Sequence, residues 1–170
     1  MKVIFSYGKT VDAGEARLHA FEDVAKRYGI EVQNVPYEHD CPADERAKIL
    51  LDVVKKQDKP EELILVGSSM GVYGSILASM TVPVLGMFLI SPALFMYDVQ
   101  EYRLTGSKHT AFVVGWQDRV IPRDKVLEYV KKEEAETHIL SDDHHMAGSL
   151  NHLARLFDDF LSKVTADQKA

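Results

Sequence analysis

Apolar positions follow two rhythms along the chain. Six short runs, "KVIFS" (2–6), "IEVQNVP" (30–36), "ELILVG" (62–67), "VLGMFLIS" (84–91), "TAFVVG" (110–115) and "THILS" (137–141), read as strands buried on both faces. The third, fourth and fifth are nearly continuous in apolar residues, which predicts central parallel strands covered by helices. Between the runs the period changes to that of a helix. Leu18, Phe21, Val24, Ala25 and Tyr28 share one face, with Asp12 and Glu15 as a capping-box start and Gly29 at the far end. A second helix is expected from about Pro42 to Gln57, with Ala47, Leu50, Leu51 and Val54 inward. A third follows "GSSMG", and a fourth begins at Pro122 with Val126, Leu127 and Val130 inward. The last carries Leu150, Leu153, Leu156, Phe157, Phe160 and Leu161 on one apolar face. Strand and helix alternate throughout. The pattern predicts an α/β fold, a three-layer sandwich with a mostly parallel six-stranded sheet and helices on both faces. No linker divides it, so one domain is expected over residues 1–164, with "TADQKA" (165–170) as a polar, frayed tail.

Composition narrows the function classes. A chain of 170 residues, 46% hydrophobic and 27% charged, suits one ordinary globular core. The net charge of −6, without a basic stripe, argues against nucleic acid or an anionic membrane as partner. The single cysteine, Cys41, suits a reducing compartment, and "MKVIFSYGKT" has no signal-peptide pattern; a cytoplasmic location is expected.

The candidate chemistry begins at "GSSMG" (67–71). In a parallel sheet, ligands gather beyond the carboxyl ends of the strands, and this segment ends a central one. Ser69 has Gly67 two residues before it and Gly71 two residues after, the G-x-S-x-G pattern. Its steric cause is a sharp strand-to-helix turn on which side chains at both offsets would collide. Ser68 lacks glycines at those offsets. A plain tight turn would use the same small residues, so the motif gains its weight from partners. Asp118 follows the fifth strand in "GWQDRVIP", and a histidine pair, His144 and His145, follows the sixth in "SDDHHMAG". Ser, Asp and His thus occur in that chain order, each just past a parallel strand, as one particular triad requires.

The chain here resembles the α/β-hydrolases over most of its length, through "LILVGSSMGVYGS", "VVGWQDRVIP" and "LSDDHHMAGSLNHLARLFDDFL". It is similar to a small bacterial-type member that retains the last six of the usual eight strands and has almost no cap, a minimal α/β-hydrolase fold. Carried over by position, the resemblance implies Ser69 as nucleophile, Asp118 as acid and His144, rather than His145, as base. It also implies an oxyanion hole from the Met70 N–H and an N–H near Tyr7 or Gly8. The family's usual His-Gly pair is replaced here by Tyr7-Gly8. The implied activity is hydrolysis of a small carboxylic ester or related acyl bond, carboxylesterase-like, with a small-molecule acyl substrate and no cofactor. The alternatives are a thioester, amide or carbon–carbon bond, or a non-catalytic recognition protein on the same scaffold.

The connection "PALFMYDVQEYRLTGSKH" (92–109) is too short for a cap domain, so an open site is expected, with Leu94, Phe95, Met96 and Tyr97 as a possible acyl pocket. The seven histidines form no H-E-x-x-H or similar set, and no metal is expected. Asp142 and Asp143 compete with Asp118 as the acid by proximity, but neighbours on one loop reach the far side of an imidazole poorly. Oligomeric state is open.

Overall fold

A computed structural model describes residues 1–9, 11–97 and 101–169, with backbone alone for 11–13 and 169. The elements run β1 (Lys2–Ser6), α1 (Val11–Lys26), β2 (Glu31–Asn34), α2 (Ala43–Lys55), β3 (Leu63–Ser68), α3 (Met70–Thr81), β4 (Val84–Ile90), β5 (Ser107–Gly115), α4 (Arg123–Lys132), β6 (Glu136–Leu140) and α5 (Leu150–Lys169). The strands form one sheet in the order β2-β1-β3-β4-β5-β6. Every pairing is parallel, so each strand needs a crossover; four of the five crossovers carry a helix, and none is described between β4 and β5.

The alternation of strand side chains splits the core in two. Ile4, Leu65, Met87, Leu89, Phe112 and Val114 face one side, where α2, α3 and α4 bring Leu50, Val54, Val72, Ile76, Val126 and Val130. Val3, Phe5, Ile64, Val66, Phe88, Ile90 and Val113 face the other, where α1 and α5 bring Phe21, Val24, Leu153, Phe157 and Leu161. Full burial of a Leu or Phe side chain is worth about 1.5–3 kcal/mol. These two layers therefore cover both faces of the sheet and leave the strand ends as the free surface.

Several expectations need correction. The edge strands are not buried on both faces: β2 exposes Glu31 and Asn34, and β6 exposes Glu136 and Ile139. Only the four strands between them meet helices above and below along most of their length. β5 begins at Ser107, since Ser107 and His109 already pair with Val84 and Gly86 although their side chains are polar. The segment 165–169 is not a separate frayed tail. α5 continues to Lys169, with Val164 fully buried and Thr165 nearly so. α1 starts at Val11, ahead of Asp12, whose side chain lies outside the described residues. At the other end of α1, Gly29 takes φ +66° and the Ile30 N–H closes on the Ala25 carbonyl, the geometry that terminates a helix.

Candidate active site

Ser69 sits between the last residue of β3 and the first of α3 with φ 55° and ψ −117°, a region almost reserved for glycine. The surroundings impose it. The Ser69 N–H donates to the Ile90 carbonyl at 2.9 Å, and the Ser69 carbonyl accepts from Val72 and Ala93. The flanking glycines are required by space. A Cβ on Gly71 would lie 1.9 Å from the Ser6 carbonyl oxygen, and one on Gly67 would lie 2.9 Å from the Gly71 oxygen and the Val72 Cα. Strand and helix can approach so closely only without those two side chains. The turn therefore projects the Ser69 hydroxyl beyond the sheet edge.

The loops after β5 and β6 meet it there. His144 Nε2 lies 2.8 Å from Ser69 Oγ, and His144 Nδ1 lies 2.7 Å from Asp118 Oδ2. A carboxylate only accepts, so Nδ1 carries the proton and Nε2 is left to accept from the Ser69 hydroxyl. The other Asp118 oxygen, Oδ1, accepts the N–H groups of Val120 at 2.9 Å and Ile121 at 3.2 Å, which pins the carboxylate in its loop. Burial would raise the Asp118 pKa, but His144 and the two N–H groups outweigh it and hold the carboxyl below its ordinary value. Asp118 is 4% exposed and His144 8%. The cluster is thus shielded from water except toward Ser69.

His145 is exposed and sets its ring edge-on to His144, without contact to Ser69 or Asp118 among the described hydrogen bonds. Among the described hydrogen bonds, neither Asp142 nor Asp143 reaches the His144 imidazole. They shape its loop instead: Asp142 Oδ1 accepts the Asp143 N–H and Asp143 Oδ1 accepts the His145 N–H, both at 2.8 Å. Gly115 gives this loop its room, because a Cβ there would lie 2.7 Å from the carbonyls of both Asp142 and Asp143.

Two cavities open on Ser69. One, about 20 Å³, is polar and lined by Tyr7, Gly8, Arg17, Ser68 and His144 among others. The second, about 380 Å³, is mainly apolar and includes Met70, Ala93, Met96, Tyr97 and Val120. Of the four residues expected to form an acyl pocket, Met96 and Tyr97 line it. Leu94 does not, being fully buried in the core under α3 and α4. Phe95 does not either: at φ +61° its ring packs edge-on against Tyr102 and Tyr129. Tyr7 and Gly8 border the smaller cavity, and Gly8 approaches Ser69 so closely that a Cβ would sit 2.9 Å from the Ser69 Cβ.

Three supporting residues escaped the sequence reading. Arg17 of α1, 5% exposed, donates to Ser68 Oγ and to the His145 carbonyl, joining the residue before Ser69 to the residue after His144. Burial pulls its pKa down, with Asp142 pulling the other way. Ser91, fully buried at φ 48°, donates its hydroxyl to the His144 carbonyl at 2.8 Å. Arg46 of α2, 4% exposed, donates to the carbonyls of Tyr7, Gly8 and Cys41. A signal existed for both arginines. Arg17 shares a helical stripe with Phe21 and Val24, and Arg46 shares one with Ala43 and Leu50. A cation on an apolar stripe must be buried, and a buried cation must find acceptors. Among the described residues, no group of three or more His, Cys, Asp or Glu is placed to hold a metal ion. No helix among them is long and apolar enough to cross a membrane.

The fold has many solved counterparts. A proposed hydrolase of the alpha/beta superfamily from Xanthomonas campestris pv. campestris is 22% identical and superposes with a TM-score of 0.85, over 95% of this chain and 98% of that one. Est1E from Butyrivibrio proteoclasticus is 16% identical with a TM-score of 0.73, over 97% of this chain and 88% of that one. An α/β serine hydrolase without lid from Xanthomonas campestris is 14% identical with a TM-score of 0.71, over 95% and 81%. No family model matches the chain, and no curated protein matches it in sequence. The protein therefore has the α/β-hydrolase fold, in a small form without a cap: only residues 91–106 join β4 to β5. At these identities the likeness is one of fold, and the chemistry has to be argued from the site.

Proposed function

We propose that the protein is a serine hydrolase that cleaves carboxylic esters or related acyl bonds through Ser69, His144 and Asp118. The observation that carries this is the continuous chain of two short hydrogen bonds, 2.8 Å and 2.7 Å, from a serine held in a strained turn to a buried carboxylate. Ser69 Oγ attacks the ester carbonyl carbon while its proton passes to His144 Nε2. Asp118 keeps the imidazole in the tautomer that can accept this proton and stabilises the cation that forms. The tetrahedral oxyanion is received by backbone N–H groups, the Met70 N–H at the start of α3 among them, each contributing about 3 kcal/mol. The carbon–oxygen bond to the leaving group then breaks, and His144 returns its proton to the departing alcohol. Water, deprotonated by the same nitrogen, attacks the acyl-enzyme, releases the acid and restores the Ser69 hydroxyl.

The larger cavity supports an apolar substrate portion, since Met70, Ala93, Met96 and Val120 offer surface without charge, and Tyr97 offers a ring edge. The test is labelling with a fluorophosphonate probe. The wild-type protein is expected to be labelled at Ser69, and Ser69→Ala to be unlabelled and to lose ester turnover by ~10³-fold or more. An unlabelled wild type, or a label that survives in the variant, would sink the assignment.

A further inference from the structure

Arg46 is a buried cation with unusual company. Its Nε donates to the Cys41 carbonyl at 3.0 Å, and Nη1 donates to the carbonyls of Tyr7 at 3.2 Å and Gly8 at 3.1 Å. Nη2 reaches the Glu38 carbonyl at 3.5 Å, and the guanidinium stacks 4.6 Å from the centre of the Tyr37 ring. No carboxylate pairs with it among the described residues; every oxygen it binds is a main-chain carbonyl. Such a group does not neutralise another charge. It fixes the orientation of peptide planes.

Two of those planes matter to Ser69. In a trans peptide, the C=O and the following N–H point in opposite directions within one plane. With the Tyr7 and Gly8 carbonyls turned toward Arg46, the N–H groups of Gly8 and Lys9 are turned away from it. Gly8 stands against the nucleophile, where a Cβ would lie 3.2 Å from Ser69 Oγ. Lys9 lines both cavities that open on Ser69.

We infer that Arg46 is the positioning residue of the oxyanion hole: its hold on two carbonyls aims the Gly8 and Lys9 N–H groups at the space beside Ser69 Oγ. This rests on the serine-hydrolase assignment and adds the donors of the first loop and the side chain that orients them. It also accounts for Tyr7 at a place where the family has histidine. The loop is set through its main chain by α2, so the side chain at position 7 is free to pack edge-on against Tyr37. Lysine cannot replace the arginine, because one ammonium cannot serve carbonyls reached from both Nε and Nη1.

The test compares wild type, Arg46→Lys and Arg46→Gln on a short-chain aryl ester, and measures the affinity of each for an alkyl boronic acid, which mimics the tetrahedral oxyanion. Both variants are expected to lose ~10- to 100-fold in kcat with KM within about twofold. Boronate affinity should fall by the same factor as kcat. In wild type, whose folding is not in question, boronate binding should shift the amide resonances of Gly8 and Lys9. Fluorophosphonate labelling of wild-type Ser69 is checked first. Without it the hydrolase assignment fails, and this inference fails with it. If wild type is labelled but Arg46→Lys turns over within twofold of it, or the Gly8 and Lys9 amides do not respond to boronate, the role of Arg46 alone is overturned.

Discussion

The Ser69 turn and the two loops that meet it are built on different principles. The turn is made by absence: Gly67 and Gly71 leave out the atoms that would push β3, α3 and β1 apart, and the strained backbone at Ser69 follows from that contact. The Asp118 and His144 loops are made by presence. Asp118 Oδ1 gathers two N–H groups, Ser91 holds the His144 carbonyl, and Arg17 holds the His145 carbonyl. A steric device of this kind is all or none, because backbone atoms cannot yield. A hydrogen-bonded scaffold degrades by steps, one donor at a time, since each bond is worth about 1 kcal/mol net.

That contrast can be tested from its strongest consequence downward. Asp118→Asn replaces a buried acceptor with a group that can favour the wrong imidazole tautomer, and should lower kcat by ~10⁴-fold and slow fluorophosphonate labelling of Ser69 with it. The same substitution has a pH signature. The Asp118 carboxyl is held below its ordinary value in the folded protein, so its ionised form stabilises the fold at every pH above about 4. That contribution is lost as pH falls through the depressed folded value. Urea midpoints of wild type and Asp118→Asn should therefore converge as pH falls below about 4. A gap that widened as pH fell through that range would contradict the sign.

Gly71→Ala tests the steric side. Its Cβ would meet a main-chain oxygen at 1.9 Å, and the expected cost is more than about 3 kcal/mol of stability, read as a shift in denaturant midpoint. A mild loss would mean that the turn relaxes and is not the rigid element described. The smallest effect should come from Ser91→Ala, which removes one buried donor from the His144 carbonyl. About 1 kcal/mol of stability and a fall in kcat with KM held are expected, measured by denaturation and steady-state kinetics. If Ser91→Ala cost as much as Gly71→Ala, the distinction between the two kinds of construction would not stand.

The same contrast explains what could be read from the sequence. The Gly67 contact acts between near neighbours in the chain, and although Gly71 clears the distant Ser6, the fixed spacing of Gly67-Ser68-Ser69-Met70-Gly71 marks both glycines in five letters. The alternation of strands and helices along the chain is equally local, and the parallel sheet follows from it. The scaffold of the loops is not local. Arg17 lies 51 and 128 positions from its two partners, and Ser91 lies 53 from its partner. No spacing rule links such residues, although the cations on apolar stripes at Arg17 and Arg46 marked two of the places where a rule was broken. The pocket is poorly legible in the sequence for a related reason. Leu94, Phe95, Met96 and Tyr97 are consecutive, but the left-handed backbone at Phe95 sends Leu94 into the core and Met96 to the cavity.

The strand order has a temporal meaning as well. β1 lies inside the sheet and pairs with β2 and β3, while β4 supplies the Ile90 carbonyl that holds the Ser69 N–H. All of these are synthesised before β5 and β6, since synthesis runs from the N-terminus. Every residue that bends the serine therefore precedes Asp118 and His144 in the chain. His144 arrives with the penultimate stretch, and its loop is closed by α5. The hydrogen-bonded chain from Ser69 through His144 to Asp118 is consequently the last part of this edge of the sheet that can be completed.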